Sequence, residues 1–386
     1  MSETLTPVRT EILSVDPKDL ADRLAKRVAE KTPRVAVVGD FCLDKYLYVY
    51  PELDELSVET GLVARQVRAK RVFPGVGGTI ASNLRALGVK TNCVGMIGED
   101  GEGFDLLNSL EKIGANVDCM ISSDEIQTCA YVKPMTPREP SRDGILQSPD
   151  EGEWVEGNRI DLRNPGPFPR DLMGELRPNV YHGSIDADAI IVSDQFPEES
   201  KTFFDDEFRL FLNDVAKRRD WIFFLCDSRF FVNEYRNMVV KCNANELFDA
   251  YRASQGEARV RETTLDPASE AKEREICEVG AWLARRNERP VLVTRGALGS
   301  ILIEIEENGE PKATIVPAIS VDPPIDVCGA GDATNAGFVF AQALGFSLAE
   351  AAYIANVVSS ITIKQIGVTG VASVEDVLSV LRKQTI

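Results

Sequence analysis

An aspartate placed directly after a run of small residues is a chemical signal. Asp332 closes the stretch Asp326-Val-Cys-Gly-Ala-Gly-Asp332, and an apolar helical run from Ala333 to Leu344 follows it. A glycine turn that feeds a helix leaves backbone N–H groups unpaired and pointing one way, and the helix dipole adds partial positive charge there. Gly329, Ala330 and Gly331 are therefore placed to hold phosphate oxygens. A carboxylate beside them repels phosphate, so it makes poor sense as an anion ligand. It makes sense as a base that takes a proton from a hydroxyl attacking that phosphate. Taken alone, Gly-x-Gly-Asp reads better as the first turn of an ordinary surface helix, and the rest of the chain has to shift that balance.

More residues able to do chemistry fall at the ends of strand-like runs. The continuous apolar run Arg34–Gly39 reads as a strand buried on both faces, and Asp40 and Asp44 follow it. Carboxyl ends of strands in open α/β sheets are where ligands bind. Both aspartates are candidates for a polyol, with a turn cap an equal reading for Asp40. The glycine-rich stretch Pro74–Asn83 opens a helix closed at Gly88. Its Gly75-x-Gly77-x-x-Ile80 half-matches a dinucleotide fingerprint, but the third glycine is missing. The glycines also fit close approach of a ligand to the backbone. Further along come Asp227, Asn243-x-x-Glu246, Thr294-x-Gly296-x-x-Gly299, and Asn356 on a late helix.

The elements that must position these residues alternate. Strands are expected at Thr91–Ile97, Val117–Ile121, Cys129–Lys133, Ala189–Asp194, Trp221–Cys226, Met238–Cys242, Pro290–Thr294, Ser300–Ile305 and Ala313–Val316. Helices are expected at Pro17–Lys31, Gly103–Ile113, Glu199–Arg218, Asp266–Arg286, Ala333–Leu344 and from Ser347 to about Ile366. This alternation predicts an α/β fold with a mostly parallel sheet and helices on both faces. Short strands over Val63–Phe73 suggest a small sheet beside the main body. Residues 134–180, rich in proline, glycine and charge, read as a long loop or an elaboration of that small sheet.

Bulk properties narrow the classes. With 43 basic against 61 acidic residues the 386-residue chain carries −18, which argues against nucleic acid as the main partner. No apolar run approaches the length of a membrane span. The N-terminus lacks a basic-then-apolar signal, and the eight cysteines form no Cys-x-x-Cys motif. Most of the cysteines sit in apolar runs, as buried free thiols do, so a reducing cytoplasm is expected. The single histidine, His182, rules out chemistry needing two.

Taken in order, the strand-end motifs from Gly39-Asp-x-x-x-Asp44 to Gly-Ala-Gly-Asp332 and Ala355-Asn356 resemble the ribokinase (PfkB) family of sugar kinases over nearly the whole chain. Val-Gly-Asp40-x-x-Leu-Asp44-x-Tyr-x-Tyr, Ser57-x-Glu59, Arg159-Ile-Asp161 and Ile-Val-Ser-Asp194 look most like the kinase half of bacterial heptose-phosphate kinase/adenylyltransferases. The resemblance implies a ribokinase-like, doubly wound sheet with a small β-sheet lid. Residues 34–386 would be the kinase domain, 1–33 an N-terminal extension, and about 45–73 and 119–160 the lid. It implies transfer of the γ-phosphoryl of ATP to a sugar or sugar phosphate, with D-glycero-D-manno-heptose 7-phosphate, taken at its anomeric hydroxyl, in view. No adenylyltransferase domain is expected, and a homodimer through the lid is.

The same resemblance assigns roles. Asp332 would be the base, and Gly329, Ala330 and Gly331 the anion hole. Glu246, with Asn243, would position Mg²⁺ and its waters. Thr294, Gly296, Gly299 and Asn356 would surround the nucleotide. Asp326 would order the anion-hole loop, through a monovalent cation such as K⁺ in some relatives. Asp44, Gly75, Gly77, Thr79 and Asn83 would face the sugar. Each has an ordinary alternative: a first-turn acid for Glu246, a common turn for Thr294-x-Gly-x-x-Gly, a helix-surface amide for Asn356. Departures concentrate on the acceptor side. The usual consecutive glycine pair reads Gly75-Val76, Thr79 replaces an asparagine, and the lysine expected after Ser193-Asp194 is missing. Asp227-Ser-Arg229 stands where Asp-Pro-Lys is usual. Arg138, Arg142, Arg159 and Arg163 are weighed as phosphate contacts against a solvated charge run. A nucleoside kinase or another sugar kinase of the same fold, a non-catalytic sugar or nucleotide sensor, and a dinucleotide oxidoreductase are the competing readings.

Overall fold

Seventeen strands among the described residues form two main sheets and a hairpin, in a computed structural model that describes residues 5–139, 147–164, 166–196, 202–257 and 273–384. The larger sheet has ten strands. From one edge they are Arg9–Ile12, Pro311–Val316, Ser300–Ile305, Val291–Thr294, Val239–Asn243, Phe223–Ser228, Ala189–Asp194, Arg34–Gly39, Lys90–Gly98 and Asn116–Ser123. Neighbours from Val291–Thr294 to Asn116–Ser123 pair in parallel; Ser300–Ile305 pairs antiparallel on both sides. The central strands, such as Ala189–Asp194, are buried throughout, as a sheet covered on both faces requires.

Apolar residues on the two faces form separate cores. One packs the helices Pro17–Glu30, Gly77–Ala86, Gly101–Lys112, Ala330–Ala343, Leu348–Thr362 and Val374–Lys383. The other packs Arg170–Gly183, Asp206–Arg218, Ala244–Ser254 and Glu273–Asn287. Strand succession reverses between Ala189–Asp194 and Arg34–Gly39, which lie side by side. Ligands in such sheets bind outside the carboxyl ends of strands at that switch point. Asp40, Asp194, Asp227, Asn243 and Thr294 all lie at these ends.

The smaller sheet is the lid. Phe41–Val49 lies between Val67–Val76, antiparallel, and Cys129–Pro137, parallel; Trp154–Glu156 and Ile160–Leu162 add to the far side of the last. Tyr46, Tyr48 and Tyr50 make its own small core, with the Tyr48 and Trp154 rings edge-on at 4.7 Å.

Several boundaries move. The first expected lid segment lies within two paired strands that begin at Phe41 and end at Val76, while Asn116–Ser123, which overlaps only the start of the expected second segment, is an edge strand of the main sheet. Residues 134–180 are not all loop: Arg170–Gly183 is a helix whose buried Leu172, Leu176 and Val180 repeat at four-residue spacing. Pro178 inside it hides that signal in the sequence. Helices expected from Glu199 and Asp266 are seen as Asp206–Arg218 and Glu273–Asn287; the first residues of each expectation lie outside the described residues. Residues within 1–33 are joined to the body. Arg9–Ile12 extends the main sheet, and Leu20, Ala21 and Leu24 on Pro17–Glu30 are wholly buried in one core.

Candidate active site

The turn before Asp332 takes the conformation its glycines permit. Gly329 is the N-cap of Ala330–Ala343, with φ of 74°. A Cβ there would lie 2.6 Å from Thr369 Cγ2 and 3.3 Å from Thr79 Cγ2, so only glycine fits. Among the described residues no side chain caps this helix; the Ala330 N–H donates to the Val327 carbonyl at 3.1 Å, and the Gly331 and Asp332 N–H groups are left for a ligand. Asp332 sits in the first turn, half-buried. Burial, then the nearby Asp227 carboxylate, push its pKa up to about 7 against the opposing pull of Lys241 and Arg229. A carboxylate poised near neutrality suits a general base.

Two strands carry the charges around it. Asp227 and Lys241 are register partners on adjacent parallel strands, and Lys241 Nζ lies 2.8 Å from Asp227 Oδ2. Both are almost wholly buried. The same carboxylate oxygen accepts from Asn335 Nδ2 at 2.6 Å, one turn along the helix from Asp332. A Cβ on Gly331 would come within 3.1 Å of Lys241 Nζ, so the ammonium lies under the glycine turn. Burial opposes the charge on Lys241, but Asp227, Glu246 and Asp332 outweigh it and hold the ammonium above its usual range.

Glu246 is fixed by a capping box. Asn243 Oδ1 accepts from the Glu246 N–H at 3.0 Å, and Glu246 Oε2 accepts from the Asn243 N–H at 2.8 Å. The other Glu246 oxygen has no protein partner among the described residues. Burial pushes this carboxyl up to about 7 against the pull of Lys241, with Asp227 adding to the rise. No group of three or more metal-binding side chains occurs among the described residues. The open Glu246 oxygen is chemically compatible with Mg²⁺, which keeps several waters and needs one or two carboxylates.

Among the residues expected to face the sugar, Asp44 is near enough to Asp332 for its charge to add to the rise there. Lys133, from the lid strand Cys129–Pro137, lies 3.1 Å from Asp44 Oδ1 and donates to the Tyr46 hydroxyl at 3.1 Å. Gly75 is where a Cβ would strike Asp44 Oδ2 at 2.7 Å. The Gly77 N–H donates to the Asp40 carbonyl at 2.9 Å, tying the helix start to the central strand end. Thr79 and Asn83 point inward instead. Thr79 is buried with its hydroxyl on the Pro74 carbonyl, and its methyl borders Gly329. Asn83 is wholly buried and donates to the Thr79 and Gly370 carbonyls, so it supports the turn rather than facing a sugar. Val76 caps the helix Gly77–Ala86 with φ of 58° and ψ of −115°, a region essentially reserved for glycine.

Among the residues expected to surround a nucleotide, Thr294 is the register partner of Asn243, and Gly296 and Gly299 both have positive φ. A Cβ on Gly299 would meet the Val316 carbonyl at 2.3 Å. Asn356 donates to the Pro317 carbonyl at 3.0 Å and accepts from Ser300, so it braces the strand ends beside Gly299. Asp326 orders the anion-hole loop through protein N–H groups: its oxygens accept from Cys328 at 3.0 Å and Gly367 at 3.1 Å.

Asp40 is spoken for. It is buried and accepts from the Gln195 and Phe196 N–H groups and the Thr202 hydroxyl at 2.8–2.9 Å, which selects the turn-capping reading. The arginines of the long loop are paired: Arg159 and Arg163 with Asp161, and Arg138 with Glu153; Arg142 lies outside the described residues. Lys241, Asn335 and Lys133 were not singled out from the sequence. The signal for Lys241 was there, a lone charge inside the apolar strand Val239–Asn243.

These features lie on a ribokinase-like fold. Residues 238–374, the segment holding Lys241, Glu246 and Asp332, match the model of the pfkB family of carbohydrate kinases. It is 24% identical over 350 residues to the bifunctional protein HldE of Gluconacetobacter diazotrophicus, covering 91% of this chain and 64% of the relative. It is 25% identical over 368 residues to the bifunctional protein HldE of Caulobacter vibrioides, covering 92% and 65%. The chain thus spans slightly under two thirds of the length of these relatives. Among solved structures, Arabidopsis thaliana ribokinase complexed with ribose and ATP matches with a TM-score of 0.61 at 19% identity, covering 92% of this chain and 100% of that one. Escherichia coli phosphofructokinase-2 in complex with potassium matches at 0.65 and 16%, covering 91% and 99%.

Proposed function

We propose that the protein transfers the γ-phosphoryl of ATP to a hydroxyl of a sugar or sugar phosphate. The observation that carries this is the uncapped glycine turn at Gly329–Gly331 with the Asp332 carboxyl, raised to about 7, in the first turn behind it. Asp332 takes the acceptor hydroxyl proton as that oxygen attacks. The Gly329 and Gly331 N–H groups stabilise charge on the moving phosphoryl, while the Ala330 N–H, on the Val327 carbonyl, holds the turn between them. Glu246 and Asn243 would hold Mg²⁺ through its waters, and the ion would neutralise phosphate charge. Thr294, Gly296 and Gly299 border the nucleotide, with Asn356 bracing that edge. Asp44, held by Lys133, orients the acceptor. The lid excludes water, which limits ATP hydrolysis. D-glycero-D-manno-heptose 7-phosphate is the first acceptor to test, supported by the similarity to HldE proteins over most of the chain. A K⁺ dependence acting at the Asp326 loop and a dimer through the lid belong to the same reading.

The test is a coupled ADP-release assay over heptose 7-phosphate, ribose, fructose, fructose phosphates and nucleosides. Acceptor-stimulated release with one of the sugars is expected. Release with nucleosides alone would move the acceptor class, and no stimulated release from any would overturn the kinase reading.

A further inference from the structure

Lys241 has no counterpart among the roles above, yet it is one of the few buried cations among the described residues. It is buried in the middle of the sheet, where a charge is costly unless it is used. Its ammonium approaches the glycine turn closely enough that a Cβ on Gly331 would lie 3.1 Å away. Asp227 is its one ion-pair or hydrogen-bond partner among the described residues, at 2.8 Å. An ammonium has three N–H donors. The Asp227 oxygen that takes one of them is already shared with Asn335. Two donors are left, beside the backbone N–H groups that face the moving phosphoryl.

We propose that Lys241 is a catalytic residue of the transfer, donating from beneath Gly331 to the phosphoryl group as it moves. This rests on the kinase reading. In the step, the acceptor oxygen forms its bond to the γ-phosphorus while the bond from that phosphorus to the bridging oxygen breaks and its electron pair leaves with ADP. The acceptor proton goes to Asp332. Lys241 stays protonated throughout, and its N–H groups take up charge on the phosphoryl oxygens. Asp227 and Asn335 then have a defined part: they hold the ammonium in place under the turn.

A structural reading competes, in which Lys241 only neutralises the buried Asp227. Two variants separate them. Lys241→Met should lower kcat by about 100-fold or more, the scale on which loss of one preorganised donor is felt, with KM for both substrates little changed. Lys241→Arg should recover part of that loss. Lys241→Met with Asp227→Asn removes both charges, so a loss caused by an unpaired carboxylate would vanish. We expect the double variant to regain thermal stability and keep the low kcat. Recovery of kcat to near the wild-type value in the double variant would overturn the proposal, as would an unimpaired Lys241→Met. If the single variant fails to fold, the double variant decides alone. Failure of the kinase reading is separately visible, as wild-type protein that turns over no acceptor; that result would remove the phosphoryl group assigned to Lys241 as well.

Discussion

Asp332 is held in a place that costs stability and serves chemistry. Its pKa is raised to about 7 from the ordinary 3.8, so the folded state disfavours the ionised form. Below pH 4 the carboxyl is neutral in both states and contributes nothing. As pH rises the unfolded chain ionises first, and the penalty grows until the folded carboxyl also ionises near 7, above which it is fully present. Asp332→Asn should therefore raise stability above pH 7 by on the order of a few kcal/mol, while lowering kcat by roughly 100- to 10,000-fold as a lost base does. Denaturant unfolding and initial rates on one preparation check both; a variant less stable at pH 8 than the wild type would contradict the burial argument. Glu246 is also pushed to about 7, and both carboxylates must be ionised to work. The acid limb of kcat/KM should fall near pH 7 with a slope between one and two, whereas a limb near pH 4 would mean that neither is shifted. These two residues stand out in the sequence because each sits in a spaced motif. Lys133 was not, since its partner Asp44 is 89 positions away in sequence and meets it only through strand pairing across the lid.

Elements here carry strain where they hand residues to the site. The strand Val67–Val76 passes directly into the helix Gly77–Ala86, with Asp44 and Asp40 packed against the junction. The turn forces Val76 to φ of 58°, and a β-branched residue there costs about 1–3 kcal/mol. Glycine adopts that conformation freely but loses roughly 0.5–1 kcal/mol to the entropy of the unfolded chain. Val76→Gly should thus stabilise the protein by about 1 kcal/mol, read as a higher denaturant midpoint at constant m value. A lower midpoint would show that the Val76 side chain packs well enough to outweigh its backbone. Gly299→Ala should do the opposite, because its Cβ would strike the Val316 carbonyl at 2.3 Å and displace the loop beside the nucleotide edge. The positions of most parallel strands could be read from apolar runs. The lid strand Phe41–Val49 could not, because its tyrosines pack on a small aromatic core that leaves no continuous apolar run. Neither could Arg9–Ile12, whose four residues are all exposed and owe their strand form only to pairing with Pro311–Val316.

At the scale of the whole molecule, the segment before residue 34 bears on the catalytic helix from its far end. Ala330–Ala343 presents Asp332 at its N-terminus, and the helix Pro17–Glu30 grips its C-terminus. Lys31 Nζ donates to the Ala343 carbonyl at 2.8 Å and Arg27 to the Leu344 carbonyl at 3.2 Å, satisfying carbonyls that the helix end leaves open. Cations at a helix C-terminus also complement its dipole. Arg27 stacks over the Phe346 ring at 4.1 Å, and Arg23 pairs with Glu350 at 2.6 Å in the first turn of the next helix. Beneath these contacts Leu20 and Leu24 are wholly buried. The amphipathic spacing of Leu20, Leu24 and Val28 revealed the helix in the sequence, but not its partner, because nothing local encodes which groove an apolar stripe fills. Leu24→Ala should cost about 2–5 kcal/mol, as a fully buried leucine does. Deleting residues 1–33 should cost more, exposing the groove and freeing the end of the catalytic helix, and the shortened protein should aggregate or melt well below the full chain. A shortened protein that melts within about 1 °C of the full chain, roughly what a 1 kcal/mol loss shifts a protein of this size, would make the segment a dispensable extension. Retained stability with a lowered kcat would instead place its main effect on the alignment of Asp332, transmitted along a helix that it clamps and never on a contact with the site itself.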